Sequence, residues 1–309
     1  MSHDVAAPRI NQPIRTQKAL DMTTPIPVTD IAVDAGELRL SGRIARPHTE
    51  SRGLVVALHG GTYDAGYYDR GPGSLLELGA QLGYTVVALD RPGYGSTTSC
   101  DPAVLSFPAQ TRILAAAVDT IAGDLGRTDD VVLVGHSIGG MIALQVASHT
   151  RDPLRGVEVS GLGEFWQPGL REMWASMISD APALVLPPEA HAHVMFGPDD
   201  THTVDQVELN ARLLRPLPMP ELTDVVHWST ALPSAAAKVA VPVSLTLAEH
   251  DNIWQSSAEA RDALAGHFTS APTVRMDLFR HAGHSIELHS RARAYALRQL
   301  AFVEECLSV

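Results

Sequence analysis

Several short apolar runs punctuate the chain: Gly53-Leu54-Val55-Val56-Ala57-Leu58, Tyr84-Thr85-Val86-Val87-Ala88-Leu89, Val131-Val132-Leu133-Val134 and Val241-Pro242-Val243-Ser244-Leu245-Thr246-Leu247. Runs of this length with little or no polar alternation predict strands buried on both faces, the habit of a parallel sheet. A weaker strand is expected at 154–159 and a further strand at 273–279. Between them the apolar positions follow helical spacing, at about 74–82, 110–125, from Met141 through Val146, 256–267 and 287–307. Residues 28–45 differ: Ile31, Val33, Leu38, Leu40 and Ile44 alternate with polar residues and Gly36 sits at the break, as in a hairpin with one wet face. Strands alternating with helices predict an α/β protein with a mostly parallel, doubly wound sheet and right-handed crossovers.

That alternation is interrupted once. From 161 to 235 there are prolines, tryptophans and short helical pieces, and no buried strand is visible. The expected organisation is therefore a core of 28–160 and 236–309, an insertion at 161–235, and a loosely ordered lead-in at 1–27 carrying Pro8, Pro13, Pro25 and Pro27. No repeat or low-complexity segment is apparent.

Composition narrows the function classes. The 309 residues are 45% hydrophobic and 19% charged, enough for a sizeable core and unlike a disordered chain. The formal charge is −12, from 23 basic and 35 acidic residues, with no Lys/Arg run, so neither nucleic acid nor a membrane surface is the expected partner. Cys100 and Cys306 form no metal-type spacing and no disulfide framework. No apolar run approaches the roughly 20 residues of a spanning helix. A basic segment followed by an apolar one is also missing near the start, so a cytoplasmic location is expected.

The chemistry gathers where buried strands end. The run 131–134 leads into Gly135-His136-Ser137-Ile138-Gly139-Gly140 and then into a helix. Strand, sharp turn and helix around G-x-S-x-G is the setting of a nucleophile elbow, which makes Ser137 the expected nucleophile. A serine hydroxyl needs a neighbouring base, and the base needs an orienting acid. Two later loops can supply them: Ala248-Glu249-His250-Asp251-Asn252 and Arg280-His281-Ala282-Gly283-His284-Ser285. His284 is the expected base and Asp251 the expected acid, with Glu249 its nearest rival and Glu158 and Glu164 more remote. The backbone N–H groups of Ile138 and of Gly61, in His59-Gly60-Gly61-Thr62, are the expected oxyanion donors, with Thr62 a further contact. His59 is expected to brace that loop. The remaining histidines, including His191, His193 and His202 of the insertion and His281 and His289 near the base, are read as exposed or hydrogen-bonded structural groups. No metal and no cofactor is expected.

Taken together these residues resemble the α/β-hydrolase superfamily. His59-Gly60-Gly61, Asp90-Arg91-Pro92-Gly93-Tyr94-Gly95, Gly135-His136-Ser137-Ile138-Gly139-Gly140, Glu249-His250-Asp251 and Gly283-His284-Ser285 fall in the family's order. The resemblance implies the α/β-hydrolase fold: an eight-stranded sheet with a helical lid inserted after the sixth strand, matching 161–235. Ala248 departs from the glycine often found before the acid loop, which bears on the choice between Asp251 and Glu249. A serine at 137 sets aside the branches with a nucleophilic aspartate. The function implied is a serine hydrolase that cleaves a carboxylic ester, thioester or lactone through an acyl-enzyme. The insertion carries Phe165, Trp166, Met173, Trp174, Met177, Leu184, Val185, Leu186, Met195, Phe196, Leu213, Leu214 and Trp228. Most of these are expected to form the lid's own core, and the excess of Trp and Met points to an apolar cavity wall and a small-molecule substrate with an apolar acyl group. Cofactor-free haloperoxidases and C–C bond lyases share the framework and are the alternative; a passive binding module would have no use for all three groups. Oligomeric state is left open.

Overall fold

The computed structural model describes residues 25–127, 130–149 and 154–308. Most of the lead-in expected at 1–27 lies outside these residues. The chain opens with strands β1 (Val28–Ala35) and β2 (Leu38–Ala45), an antiparallel hairpin turning at Gly36, which has φ 68°. There follow β3 (Leu54–Leu58), α1 (Leu75–Gln81), β4 (Thr85–Leu89), α2 (Phe107–Asp124), β5 (Val131–His136), α3 (Ile138–His149) and β6 (Leu154–Ser160). Every residue of β3, β4 and β5 is buried, which is why they read as continuous aliphatic runs.

The stretch between β6 and the next sheet strand is mainly helical: α4 (Leu170–Ala175), α5 (Pro188–Met195), α6 (Val204–Leu213), α7 (Met219–Val226) and α8 (Trp228–Ala236). It also holds a strand pair absent from the sequence reading, β7 (Ala183–Leu184) with β8 (Leu217–Pro218). At two residues each, with prolines beside them, these strands leave no hydrophobic period to detect. The core resumes with β9 (Val243–His250), α9 (Ala258–Gly266), β10 (Val274–Gly283) and α10 (Ala292–Leu307). The last helix starts five residues later than its periodicity suggests, because Ile286–Leu288 form a separate 3-10 turn.

The eight-stranded sheet has the order β1-β2-β4-β3-β5-β6-β9-β10. From β4 to β10 all neighbours are parallel, while β2 meets β4 antiparallel. The chain proceeds outward from β3 to β4 in one direction and from β5 to β10 in the other. The carboxyl ends of β3 and β5 thus flank the point where the winding reverses, the usual place for a site in an open α/β sheet. Register makes this local: Leu58 is level with Gly135, and His136 with Ser160.

Candidate active site

Ser137 follows β5 directly and has φ 52°, a left-handed conformation that a non-glycine residue adopts only when its surroundings impose it. Its N–H donates to the Ser160 carbonyl at 2.7 Å, and its carbonyl accepts from Met141 N–H as the first bond of α3. The glycines are required by space. A Cβ on Gly135 would come within 2.6 Å of the Gly140 Cα, and one on Gly139 would overlap the carbonyl oxygens of Leu58 and His59.

The imidazole of His284, one residue past β10, meets the Ser137 Oγ with its Nε2 at 3.0 Å. Its Nδ1 faces both oxygens of Asp251, at 3.0 and 3.1 Å. Because the carboxylate can only accept, the imidazole proton resides on Nδ1, and Nε2 is left to accept from the serine hydroxyl. Asp251 is itself oriented: its Oδ1 accepts the N–H groups of Ile253 at 2.8 Å and Trp254 at 3.0 Å. The structure brings Ser137, His284 and Asp251 together through one chain of hydrogen bonds, with Asp251 and His284 buried. Glu249 is turned elsewhere. Strand β9 runs on to His250, and the Glu249 carboxylate accepts the N–H of His281 at 2.8 Å. Glu158 and Glu164 are also remote, paired with Tyr295 and Gln299 and with His267.

The loop after β3 lies against the elbow. A Cβ on Gly60 would sit 3.2 Å from the Ser137 Cβ, and one on Gly61 would sit 2.7 Å from the Ile138 side chain. The two glycines let backbone approach the serine closely, where a side chain would make its neighbours shift. His59 braces the loop as expected, its Nδ1 donating to the Gly60 carbonyl at 2.8 Å. Burial, then the nearby Arg91 charge, hold its pKa well below the ordinary histidine value, so it stays neutral. Thr62 has its N–H on the Tyr94 hydroxyl at 3.3 Å and its own hydroxyl on the Gly61 carbonyl.

Beneath the imidazole, His136 stacks on Tyr67 with centroids 4.9 Å apart, and its ring lies 5.1 Å from that of His284. Burial and then the two neighbouring histidines depress its pKa well below the ordinary value, which keeps a second positive charge away from His284. Glu287 receives the Tyr67 hydroxyl at 2.6 Å, and burial raises its pKa. His289 lies in the turn before α10. Its Nε2 accepts the N–H of Gly283 at 2.8 Å and of Gly197 at 3.2 Å, and its Nδ1 donates to the Ser285 carbonyl at 2.8 Å. Its pKa is lowered to about 4, chiefly by burial. A neutral histidine thus pins the His284 loop to the end of α5. None of these three supports carries a sequence signal beyond a polar residue beside a motif.

Over Ser137 lies a cavity lined by Gly61, Ile138, Met141, Trp166, Trp174 and Met195, closed further by Leu217, Val225, Ile253 and Trp254. The cavity is narrow, with a volume of only about 20 Å³. Of the apolar residues the sequence reading grouped in the insertion, Trp166, Trp174 and Met195 reach this wall. Phe165 and Met173 are each 42% exposed, and Trp228 is buried on α8, the helix that packs against α3. A larger groove of about 710 Å³ runs along the outer side of Asp251, past His193, Phe196, His202 and His250, away from the serine. Among the described residues no group of three or more His, Cys, Asp or Glu side chains is arranged to hold a metal ion, and no helix is long and apolar enough to cross a membrane.

An eight-stranded sheet of this order, with a strained serine between β5 and α3, defines the α/β-hydrolase fold. A family model described as "Alpha/beta hydrolase family" matches residues 55–297, and the chain belongs to that family. Among curated relatives, it is 30% identical over 110 residues to an uncharacterized protein of Caenorhabditis elegans, an alignment covering 36% of this chain and 21% of that one. It is also 33% identical over 102 residues to Phospholipase YtpA of Bacillus subtilis (strain 168), covering 32% and 36%. The chain thus spans well under half the length of either relative. Among solved structures, it is similar to a soluble variant of monoglyceride lipase from Saccharomyces cerevisiae in complex with a substrate analog. That match has a TM-score of 0.70 at 17% identity and covers 92% of this chain and 97% of the other.

Proposed function

We propose that the protein is a serine esterase acting on a small ester or thioester with an apolar acyl group, with Ser137, His284 and Asp251 as its catalytic residues. The observation that carries this reading is the continuous Ser137–His284–Asp251 hydrogen-bond chain ending at a serine held at φ 52°. His284 Nε2 takes the hydroxyl proton as Oγ attacks the carbonyl carbon, and Asp251 stabilises the imidazolium that forms. The Gly61 and Ile138 N–H groups receive the oxyanion. On collapse, His284 returns the proton to the leaving alcohol or thiol. Water then repeats the sequence on the acyl-enzyme and releases the acid.

The apolar wall of Met141, Trp166, Trp174, Met195, Leu217 and Trp254 supports an apolar acyl group. We take 161–235 as a lid over a core of 28–160 and 236–309. With so little free space above Ser137, substrate enters only when that lid moves. Phospholipase and monoglyceride lipase are the activities named for two of the similar proteins.

A series of p-nitrophenyl esters from acetate to laurate tests the reading. Turnover is expected to favour the longer acyl chains, and a fluorophosphonate probe is expected to label Ser137. The Ser137→Ala variant should melt as the wild type does, with no labelling and no turnover. Undiminished ester cleavage by that variant would refute the assignment.

A further inference from the structure

We propose that the inserted segment is a working part of the oxyanion site: Arg91, Tyr94, His191 and Glu221 are positioning residues that aim the Gly61 N–H, and they do so only while the insert is seated on the core. This rests on the reading of Ser137 as nucleophile and Gly61 as an oxyanion donor.

A trans peptide is planar, so the direction of one carbonyl fixes the opposite direction of the following N–H. The Gly61 N–H is therefore aimed by whatever holds the Gly60 carbonyl. Two donors hold it: His59 Nδ1 at 2.8 Å and Arg91 Nη2 at 3.2 Å. Arg91 Nε also donates to the preceding carbonyl, that of His59, at 2.8 Å. The Arg91 N–H donates to His59 Nε2 at 3.1 Å, which forces the ring proton onto Nδ1, where Gly60 needs it. One arginine thus sets two consecutive carbonyls and the tautomer of the histidine between them.

Arg91 is held from the core by Gln110 of α2, whose Oε1 accepts from Nη1 at 2.8 Å, but its charge is met from the insert, to which Gln110 Nε2 also donates at 2.6 Å. Its guanidinium pairs with Glu221 of α7 through two contacts, at 2.5 and 3.2 Å, and both side chains are fully buried. The peptide on the other side of Gly61 is tied to the same helix. The Thr62 N–H donates to the Tyr94 hydroxyl, which donates to Glu221 at 2.9 Å. Thr62 has φ 66°, a conformation a β-branched residue keeps only under constraint. A second line reaches it from α5 and α6: Asn210 Nδ2 donates to His191 Nδ1 at 3.1 Å, and His191 Nε2 donates to the Thr62 hydroxyl at 2.7 Å. That hydroxyl donates onward to the Gly61 carbonyl. Both peptide planes flanking Gly61 are thus anchored in the insert, Glu221 supporting one through Arg91 and His191 the other through Thr62. When the insert lifts to admit substrate, both anchors leave, so acyl transfer is confined to the closed state.

The double variant Arg91→Met/Glu221→Leu separates this from a structural role. It removes both buried charges together, which is gentler than leaving one of them unpaired, at the cost of the bonds that Gln110, the Tyr94 hydroxyl and the His59 carbonyl make to the pair. Its kcat on a p-nitrophenyl ester is expected to fall by about 10²–10³, the usual effect of losing one oxyanion donor. Affinity for a trifluoromethyl ketone, which forms an oxyanion on Ser137, should fall in parallel. Binding of the intact ester, measured in a Ser137→Ala background, should change less than about threefold, since the ground-state carbonyl gains little from the donor. A stable double variant with wild-type kcat would overturn the proposal, and so would an equal loss of kcat and of ground-state affinity. Tyr94→Phe is the second probe should the double variant fail to fold. It deletes one hydroxyl, keeps the ring, and should lower kcat about tenfold at constant KM, the worth of one hydrogen bond; unchanged kcat would overturn the proposal. Wild-type protein that neither turns over esters nor labels at Ser137 would instead refute the underlying reading.

Discussion

Glu158 offers a stability experiment whose sign follows from burial. This carboxyl on β6 is 1% exposed and lies against α10, where the Tyr295 hydroxyl donates to its Oε1 at 2.6 Å and Gln299 Nε2 donates to its Oε2 at 2.9 Å. Burial outweighs both donors and pushes its pKa up to about 8, from an ordinary value of 4.5. The folded chain therefore binds this proton more tightly than the unfolded chain. Between those two pH values the native state carries one proton more, so stability falls as pH rises through the window. The cost is about 1.4 kcal/mol per pH unit, or about 4–5 kcal/mol once the whole window is crossed. Below the window the penalty is absent.

Glu158→Gln removes the titration and keeps the shape. The new amide oxygen can accept from Tyr295, and its NH2 can donate to Gln299 Oε1, which is buried and has no partner among the described residues, once that side chain turns over. Urea unfolding of both proteins at half-unit steps from pH 5 to pH 8.5 measures the difference, since groups away from Glu158 titrate alike in the two chains. The stability difference should be within about 1 kcal/mol at pH 5 and grow to about 2–5 kcal/mol in favour of the variant at pH 8.5, with unchanged m-values. Parallel curves would refute the reasoning, because a carboxyl already ionised at pH 5 would gain nothing from being made neutral at higher pH.

The choice of acid is tested by a pair of variants: Asp251→Asn should lower kcat by about 10³–10⁴ through loss of the tautomer and of imidazolium stabilisation, whereas Glu249→Gln should stay within about threefold of wild type, both read by steady-state ester hydrolysis. At the elbow, Gly139→Ala puts a Cβ onto the carbonyl oxygens of Leu58 and His59, which are backbone and have little room to yield. A loss of at least about 1–3 kcal/mol in urea unfolding is expected, with turnover falling further because the displaced segment carries Gly60 and Gly61.

What could be read from the chain divides along a physical line. Buried parallel strands carry their own signal, and the residues just past their carboxyl ends, Ser137, Asp251 and His284, are located once the strands are. The choice of Asp251 over Glu249 turns on where β9 stops. The strand continues through Ala248, Glu249 and His250, so Glu249 keeps its side chain beside β10, and Asp251 is the first residue free to turn toward the imidazole. The polar partners of the insert follow a different rule. Glu221 lies 130 residues from Arg91, and His191 lies 129 from Thr62. No local periodicity links such pairs. The trace they leave is a polar residue on an otherwise apolar helical face, as Glu221 stands beside Leu222 and Val225 of α7. A buried glutamate in an ion pair adds little net stability over an apolar residue of the same size, even with Arg91, Tyr94 and Gln110 all donating to it, so its presence on that face needs another reason. Holding an arginine whose other bonds fix the loop beside Ser137 is such a reason, and on the proposed function it would place support for that loop in a segment that looks, by its sequence, like a cover.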